Sequence, residues 1–526
     1  MLKTTNQSRT APSNKTKQGG CLTGAGLIDA AKPFLVLELG NGKRFLLAVT
    51  LLSLTLGFGV LSLNAGAANA KGVELPPESL RTPPLAKENS VSTYVPSETC
   101  EGQGLAVNLI YGEKARYEEG APVVVVIPGG EGADGLSFNT HMAQVGLIEV
   151  RFAFPGGGSA KFGSKGTFDN RGALSIEALR DVLLFAGGKK PDYKGRFISD
   201  LTKQSGAPRP LSDNIGILGW DNGGNQALVA LAKFPEDLGF ITWLAFYESP
   251  IGSMFHPSNL GSQQDLMINK HYREGSASSG NLVVDYRKLR WLPQGFRRPN
   301  RLTGTKRGTP GLKGVLFFDE NENGQWEESK EFAFNSSLDV ALTKQFFPPQ
   351  VAAACERLDV FKGAWPANVG TVSESEEFFA NRDGSLYVSQ VAAKYPKLMV
   401  GIFASSVDHN QQQIDHPHIT FLYNSFLTNK VKWLRLNPDP VYVAAIAAMN
   451  LANFVNNRPN TSIDTTTDQG ALLAHLEPEG IVPDYVYMQA FAAEMSDRFK
   501  LKKFRELLKA PLVNYSNGAQ DAPKPE

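Results

Sequence analysis

An excess of either charge is missing from this chain: 53 Lys and Arg stand against 52 Asp and Glu, for a net charge of +1. Neither nucleic acid nor an acidic membrane surface is therefore implied as a partner. A fixed-period internal repeat is also missing, which argues against a solenoid or propeller. Cysteine is scarce, with three residues in 526. Cys21 falls in the leading segment, so the remainder of the chain keeps only Cys100 and Cys355. In an oxidising compartment these two either pair as a disulfide or stay as separate buried thiols. What is plentiful is apolar material, 42% of the residues, together with 51 Gly and 32 Pro. That suits a large core with many loops, in one elaborated domain or two.

The N-terminus reads as an export signal. Residues 1–44 form a polar, loosely basic leader ending in Lys43-Arg44. Residues 45–63 are the apolar run FLLAVTLLSLTLGFGVLSL, and small residues follow as far as Ala70. Ala68-Asn69-Ala70 carries the small side chains that signal peptidase accepts, which makes 45–70 a signal peptide and Lys71 the first mature residue. The protein is then periplasmic or extracellular. The alternative is an uncleaved membrane anchor, since the run is long enough to cross a bilayer. The long leader is also what a start codon assigned too far upstream would produce.

Residues 71–96 are rich in Pro, Ser and Thr without hydrophobic periodicity and read as a linker. Alternation at 105–110 predicts an early strand. Residues 122–127 are an unbroken apolar, largely β-branched run, as expected of a strand buried on both faces of a parallel sheet. Further strands are predicted at 147–154, 214–219 and 241–247. Helices are predicted at 173–186, with Leu174, Ala178, Val182 and Phe185 on one stripe, and at 225–233. Strands alternating with helices mean an α/β fold with a mostly parallel central sheet and helices on both faces. This first half runs over 97–255. Alternation breaks down at 256–395, which reads as an insertion or cap. It resumes over 396–510 with strands at 397–403 and 431–436 and helices at 419–429 and 485–508. Residues 511–526 form a tail.

The most informative stretch is Gly219-Trp220-Asp221-Asn222-Gly223-Gly224, between a buried strand and a helix. A sharp strand-to-helix turn strains its central residue and needs small neighbours on either side. It also sets the central side chain over a helix N-terminus, where backbone N–H groups stabilise an anion. At these residues the chain resembles the α/β-hydrolase superfamily, within it the dienelactone-hydrolase-like and serine-esterase branches, which carry Gly-x-Ser/Cys-x-Gly-Gly here. The resemblance covers about 100–243 and 396–438. It implies oxyanion donors in Pro128-Gly129-Gly130, with Asn222 and Gly223 beside the central residue, and an acid at Asp408.

Three departures from that pattern matter. Asp221 replaces the nucleophilic Ser or Cys; some branches, the haloalkane dehalogenases and epoxide hydrolases among them, do use Asp at this position. A carboxylate can attack an alkyl carbon and form an ester that water later cleaves. No His follows the last strand, where the chain reads Leu436-Asn437-Pro438. Histidines gather instead after the preceding strand, as Asp408-His409 and Asp415-His416-Pro417-His418. His409, His416 or His418 either folds back to the elbow as the base, or joins a transition-metal site, or lies in a solvated loop.

A second motif lies in the insertion. Asp319, Asn321, Asn323 and Gly324 followed by Gln325, Glu327 and Glu328 resemble an EF-hand-type loop, with oxygen ligands at alternate positions and a Gly at the bend. Lys330 stands where the closing Glu is usual, and Glu328 or Glu331 would substitute for it. Ca2+ is thus the expected cofactor over 319–331, in a structural role, and no organic cofactor is implied. Two functions remain open. One is an exported hydrolase of small esters, lactones or related small molecules, with Asp221 as nucleophile or base. The other is a binding or scaffold protein on a hydrolase fold that has lost its chemistry. Fold alone does not choose between them.

Overall fold

The computed structural model describes residues 88–130, 132–251, 261–262, 267–268, 285–292, 315–325, 327, 331–333, 347, 349–362, 370–403, 417–450 and 484–502. The chain divides into residues 1–73 and 74–526, and every described residue belongs to the second unit. The leader and signal peptide lie outside the described residues. No described helix is long and apolar enough to cross a membrane.

The first six strands of the main sheet are β1 (Asn89–Val95), β2 (Leu105–Tyr111), β3 (Ala121–Ile127), β4 (Ile148–Phe152), β5 (Pro210–Trp220) and β6 (Ile241–Tyr247). The helices among them are α1 (Ala173–Ala186), α2 (Ile198–Ser205) and α3 (Gly223–Lys233). In the insertion come β7 (Leu289–Leu292), β8 (Val315–Phe318), β9 (Phe332–Ala333) and α4 (Pro349–Leu358). The second half has α5 (Val372–Ala380), α6 (Val388–Lys394), β10 (Met399–Phe403), α7 (Pro417–Thr428), β11 (Trp433–Leu436), α8 (Pro440–Asn450) and α9 (Asp484–Leu501).

Eight strands form one sheet in the order β1-β2-β4-β3-β5-β6-β10-β11. β1 runs antiparallel to β2 and β2 antiparallel to β4, while every pairing from β4 to β11 is parallel. The apolar run of β3 shows why. Val123, Val125 and Ile127 enter one core with Leu179 and Val182 of α1 and Leu228 and Leu231 of α3. Val124 and Val126 enter a second core on the opposite face, with Ile446 of α8 and Met488, Phe491 and Met495 of α9. A strand covered on both faces must be apolar at every position. On α1 the buried stripe is Ala178, Val182 and Phe185; Leu174, predicted to join it, is 41% exposed.

Two boundaries differ from expectation. Residues 89–95, assigned to the linker, are the edge strand β1, paired in register from Asn89↔Tyr111 to Val95↔Leu105. Its buried Thr93 is satisfied by Asp192, whose Oδ2 accepts the hydroxyl at 2.7 Å. The insertion is also shorter than 256–395. α6 belongs to the main core through Val388, Val391 and Ala392, and Gln390 Nε2 donates to the carbonyl of Ala232 at the end of α3. What remains has its own small antiparallel sheet, β9-β8-β7, packed with α4 around Leu316, Phe318, Val351 and Cys355. Cys100 and Cys355 are separate thiols, the first half-buried beside the main core and the second inside this small one, so they do not form the candidate disulfide.

Candidate active site at the strand-to-helix elbow

β5 ends at Trp220 and α3 begins at Gly223, so the chain reverses over Asp221 and Asn222. Asp221 takes a left-handed backbone, φ 48°. Non-glycine residues rarely sit there, and such strain is found where the surroundings impose it. Here the Asp221 N–H donates to the Tyr247 carbonyl at 2.8 Å, and the Gly224 N–H donates to the Asp221 carbonyl at 3.1 Å. The glycines are sterically required. A Cβ on Gly219 would lie 2.6 Å from the Gly224 backbone, and one on Gly223 would lie 2.5 Å from the Ile127 carbonyl. On Gly224 it would meet Ser249 Oγ at 2.3 Å, and on Gly129 the Cβ of Asp221 at 2.8 Å.

This turn, at the carboxyl edge of a mostly parallel eight-stranded sheet, decides the architecture. The fold is the α/β-hydrolase fold.

The predicted oxyanion loop meets the elbow. The Gly130 N–H donates to Asp221 Oδ2 at 2.7 Å, and Asn222 Nδ2 donates to the Gly130 carbonyl at 3.2 Å. Gly129, Gly130, Asp221, Asn222 and Gly223 are therefore brought together as the sequence suggested. Behind them lies a buried Arg171 whose Nη2 donates to the carbonyls of Pro128 and Gly129, both at 2.9 Å. Aromatic rings line the strand ends next to the elbow. Phe138 meets Trp220 edge-on with centroids 4.9 Å apart, and Tyr247 stacks on Phe403 at 4.5 Å. Trp220, Tyr247 and Phe403 are the last residues of β5, β6 and β10, so these rings follow the strand ends beside Asp221.

The expected acid and bases are less complete. Asp408, His409 and His416 lie outside the described residues, and His418 occupies the second position of α7. At the end of β11, where the resemblance puts a His, Asn437 is buried in a left-handed backbone, φ 55°. Its N–H donates to the Ile402 carbonyl at 2.7 Å and its carbonyl accepts from Arg435 Nε at 3.0 Å. Glu248 also stands near the elbow, a placement that the sequence did not mark. It follows Tyr247 at the end of β6, the strand beside the elbow, and is itself left-handed with φ 45°. In sequence it is only an acid directly after an apolar strand, before Ser249-Pro250.

In the insertion, Asp319 is buried and its carboxylate accepts from the Asn323 and Gly324 N–H groups at 3.0 and 2.9 Å. Asn321 Oδ1 accepts from the Asn323 N–H, and Asn323 Oδ1 accepts from the Gln325 N–H. Gly324 is left-handed, φ 71°. The residue that closes the loop is Glu331, which accepts from the Glu320 N–H at 3.1 Å and the Glu327 N–H at 3.0 Å. Burial pushes its carboxyl above the usual range, and Asp319 and Glu327 add to the rise against those two N–H bonds. Among the described residues no group of three or more His, Cys, Asp or Glu is gathered as a metal cage. Glu328 lies outside the described residues.

No family model matches the chain, and no curated protein matches it in sequence. Solved structures similar to it include brefeldin A esterase, a bacterial homologue of human hormone-sensitive lipase: 10% identity, 81% of this chain and 80% of that one, TM-score 0.33. The α/β hydrolase GrgF from Penicillium sp. is 14% identical over 66% of this chain and 89% of its own, TM-score 0.30. A hypothetical protein from Pseudomonas aeruginosa is 11% identical over 67% and 85%, TM-score 0.30. At such identities and scores the fold assignment stands on the strand order and the elbow.

Proposed function

We propose that this protein is an exported hydrolase in which Asp221 is a nucleophile toward a saturated carbon bearing a leaving group, in a small substrate such as a haloalkane or epoxide. The observation that carries the reading is the bond from the Gly130 N–H to Asp221 Oδ2. In a serine esterase that donor receives the substrate's carbonyl oxygen. Here the protein's own carboxylate takes it, which disfavours direct attack on an ester carbonyl. The arrangement suits the other chemistry. Oδ1 attacks carbon, the leaving group departs with its electron pair, and an Asp221 ester forms. Water then adds to Cγ of Asp221, and the oxyanion develops on Oδ2, already hydrogen-bonded to its donor. Collapse expels the alcohol and restores the carboxylate. The base for that water is one of His409, His416 and His418.

A single turnover in heavy-oxygen water tests this. The label should enter the Asp221 peptide, and Asp221→Asn should abolish turnover with the fold intact. Label confined to the product, or no turnover on a panel of haloalkanes, epoxides, esters and lactones, refutes it. The second reading, a catalytically silent binding or scaffold protein, is favoured by Asn437 standing where the base is expected. A ligand bound without turnover would decide for it.

We also propose that the 319–331 loop holds a structural calcium ion. Asp319, Asn321, Asn323, Glu327 and Glu331 offer oxygen donors only, which suits a hard cation, and Gln325 would offer its carbonyl. A competing cation is close, since Arg290 Nε lies 3.9 Å from Asp319 Oδ2.

A further inference from the structure

Residues 169–171 form a strained turn ahead of α1. Asn170 and Arg171 are both left-handed, φ 51° and 63°, in succession. Two consecutive non-glycine residues in that region persist only where other contacts impose them. The contacts are present. Arg382, after α5, donates from Nη2 to the Asp169 carbonyl at 2.7 Å and from Nε to the Asn170 carbonyl at 2.8 Å. Gln226 Nε2 of α3 donates to the Arg171 carbonyl at 3.1 Å. Asp169 turns its carboxylate to the first turn of α1, accepting from the Leu174 N–H at 2.7 Å and from Ser175 Oγ at 2.6 Å. The product of this strain is the place of one side chain. The Arg171 guanidinium sits over the Phe154 ring, 5.3 Å from its centroid, and reaches the oxyanion loop from behind.

The atoms it reaches matter. The Gly129 carbonyl and the Gly130 N–H belong to one peptide group, planar and with its two dipole ends opposed. Arg171 Nη2 holds the oxygen end at 2.9 Å, and Asp221 Oδ2 holds the hydrogen end at 2.7 Å. Glycine at both positions leaves this peptide no side-chain restraint of its own, so its plane is set by what grips it. A cation on the carbonyl also draws charge along the amide and makes the N–H a stronger donor, as in any polarised hydrogen-bond chain.

We propose that Arg171 is a positioning residue for the anion hole: its guanidinium orients and polarises the Gly129–Gly130 peptide so that the N–H faces Asp221. Arg382 and Gln226 act one step further back by fixing the turn. The inference shares its site with the proposed hydrolase chemistry but reads the peptide itself, so absence of turnover leaves it standing.

The test is an amide NMR experiment on the full protein. With glycine labelled at both the carbonyl carbon and the nitrogen, a carbonyl-filtered spectrum reports only Gly–Gly peptide groups. The Gly129–Gly130 signal is assigned by its loss in Gly130→Asn, an exchange the open, left-handed Gly130 admits. Asp221→Asn sets the proton frequency of the hole without its carboxylate. In Arg171→Met the Gly130 proton should move most of the way from the parent frequency toward that of Asp221→Asn. Arg171→Lys, which keeps a cation, should restore part of the shift. The Gly187–Gly188 signal, away from the site, should stay in place and report an intact fold. If Arg171→Met does not fold, Arg171→Lys and Arg171→Gln carry the comparison, the charged variant lying nearer the parent. A Gly130 proton that keeps the parent frequency in a folded variant lacking the guanidinium overturns the proposal, as does equal displacement in the Lys and Gln variants.

Discussion

Removing the Asp497 side chain should destabilise this fold strongly. Asp497 lies on α9 and is buried, and its carboxylate takes four hydrogen bonds. Arg116 Nε and Nη2 donate at 2.7 and 2.6 Å, and the hydroxyls of Tyr117 and Tyr442 donate at 2.8 and 2.9 Å. Burial works against the Arg116 cation, but Asp497 outweighs it and holds the guanidinium above its ordinary value. Burial and then the same carboxylate push both tyrosines upward. Asp497→Ala leaves a buried arginine without its counter-charge and two phenols without their acceptor. Breaking a buried pair from one side costs about 3–5 kcal/mol. Replacing both partners, as Arg116→Met with Asp497→Leu, removes the charges together and should cost less than Asp497→Ala, although the two phenols still lose their acceptor. Urea unfolding of the parent, Arg116→Met, Asp497→Leu and their double variant gives the coupling directly, provided the slope of the transition is unchanged. A loss below about 1 kcal/mol for Asp497→Ala, in the range of exposed ion pairs, refutes the reading of this cluster as a buried, hydrogen-bonded ion pair that holds α9.

Gly224→Ala should destabilise by about 1–3 kcal/mol through overpacking against Ser249, whereas Gly132→Ala, with open space around it, should stay within about 0.5 kcal/mol in the same unfolding assay. Burial pushes the Cys100 thiol up to about 11, so it should react slowly with a disulfide reagent at pH 8 in the native protein and quickly once unfolded. Because its folded value is raised, the stability it contributes is complete below its unfolded value, near 9, and is lost as pH rises toward 11. Thermal melts in chelator and in millimolar calcium should differ, with Asp319→Ala abolishing the difference; no shift in the parent protein sinks the calcium proposal. N-terminal sequencing of exported material should begin at Lys71, and an intact leader there would count for the anchor.

How much could be read beforehand follows from where the signals lie. β3 and the elbow were legible because local rules dominate them: an apolar run covered on both faces, and a turn that tolerates only glycine at 219, 223 and 224. β1 was not, because Thr93 is polar in sequence and is made a core residue by Asp192, 99 positions away. The end of the insertion was misjudged for a like reason. The apolar face of α6 has meaning only against α3, which lies far from it in sequence. At the elbow, the meeting of the Gly129–Gly130 loop with Asp221 was legible, while the nearness of Arg171 and Glu248 was not. Neither belongs to a motif, and the value of Arg171 lies in a backbone carbonyl it touches, which no side-chain pattern records.

The division of the sheet between two cores also has a consequence in time. One face of β3 is covered by helices made soon after it. The other, with Val124 and Val126, waits for α9, and the tie between Arg116 and Asp497 spans 381 residues. Contacts of such long range form late. As the chain emerges, then, that face of β3 has only Met142, Val145 and Leu147 beside it until α8 and α9 complete the second core. A polypeptide built this way completes its second core only once its last described helix is made. That is a hazard for a protein folding where it is made, and an advantage for one that must thread through a translocation channel before it closes.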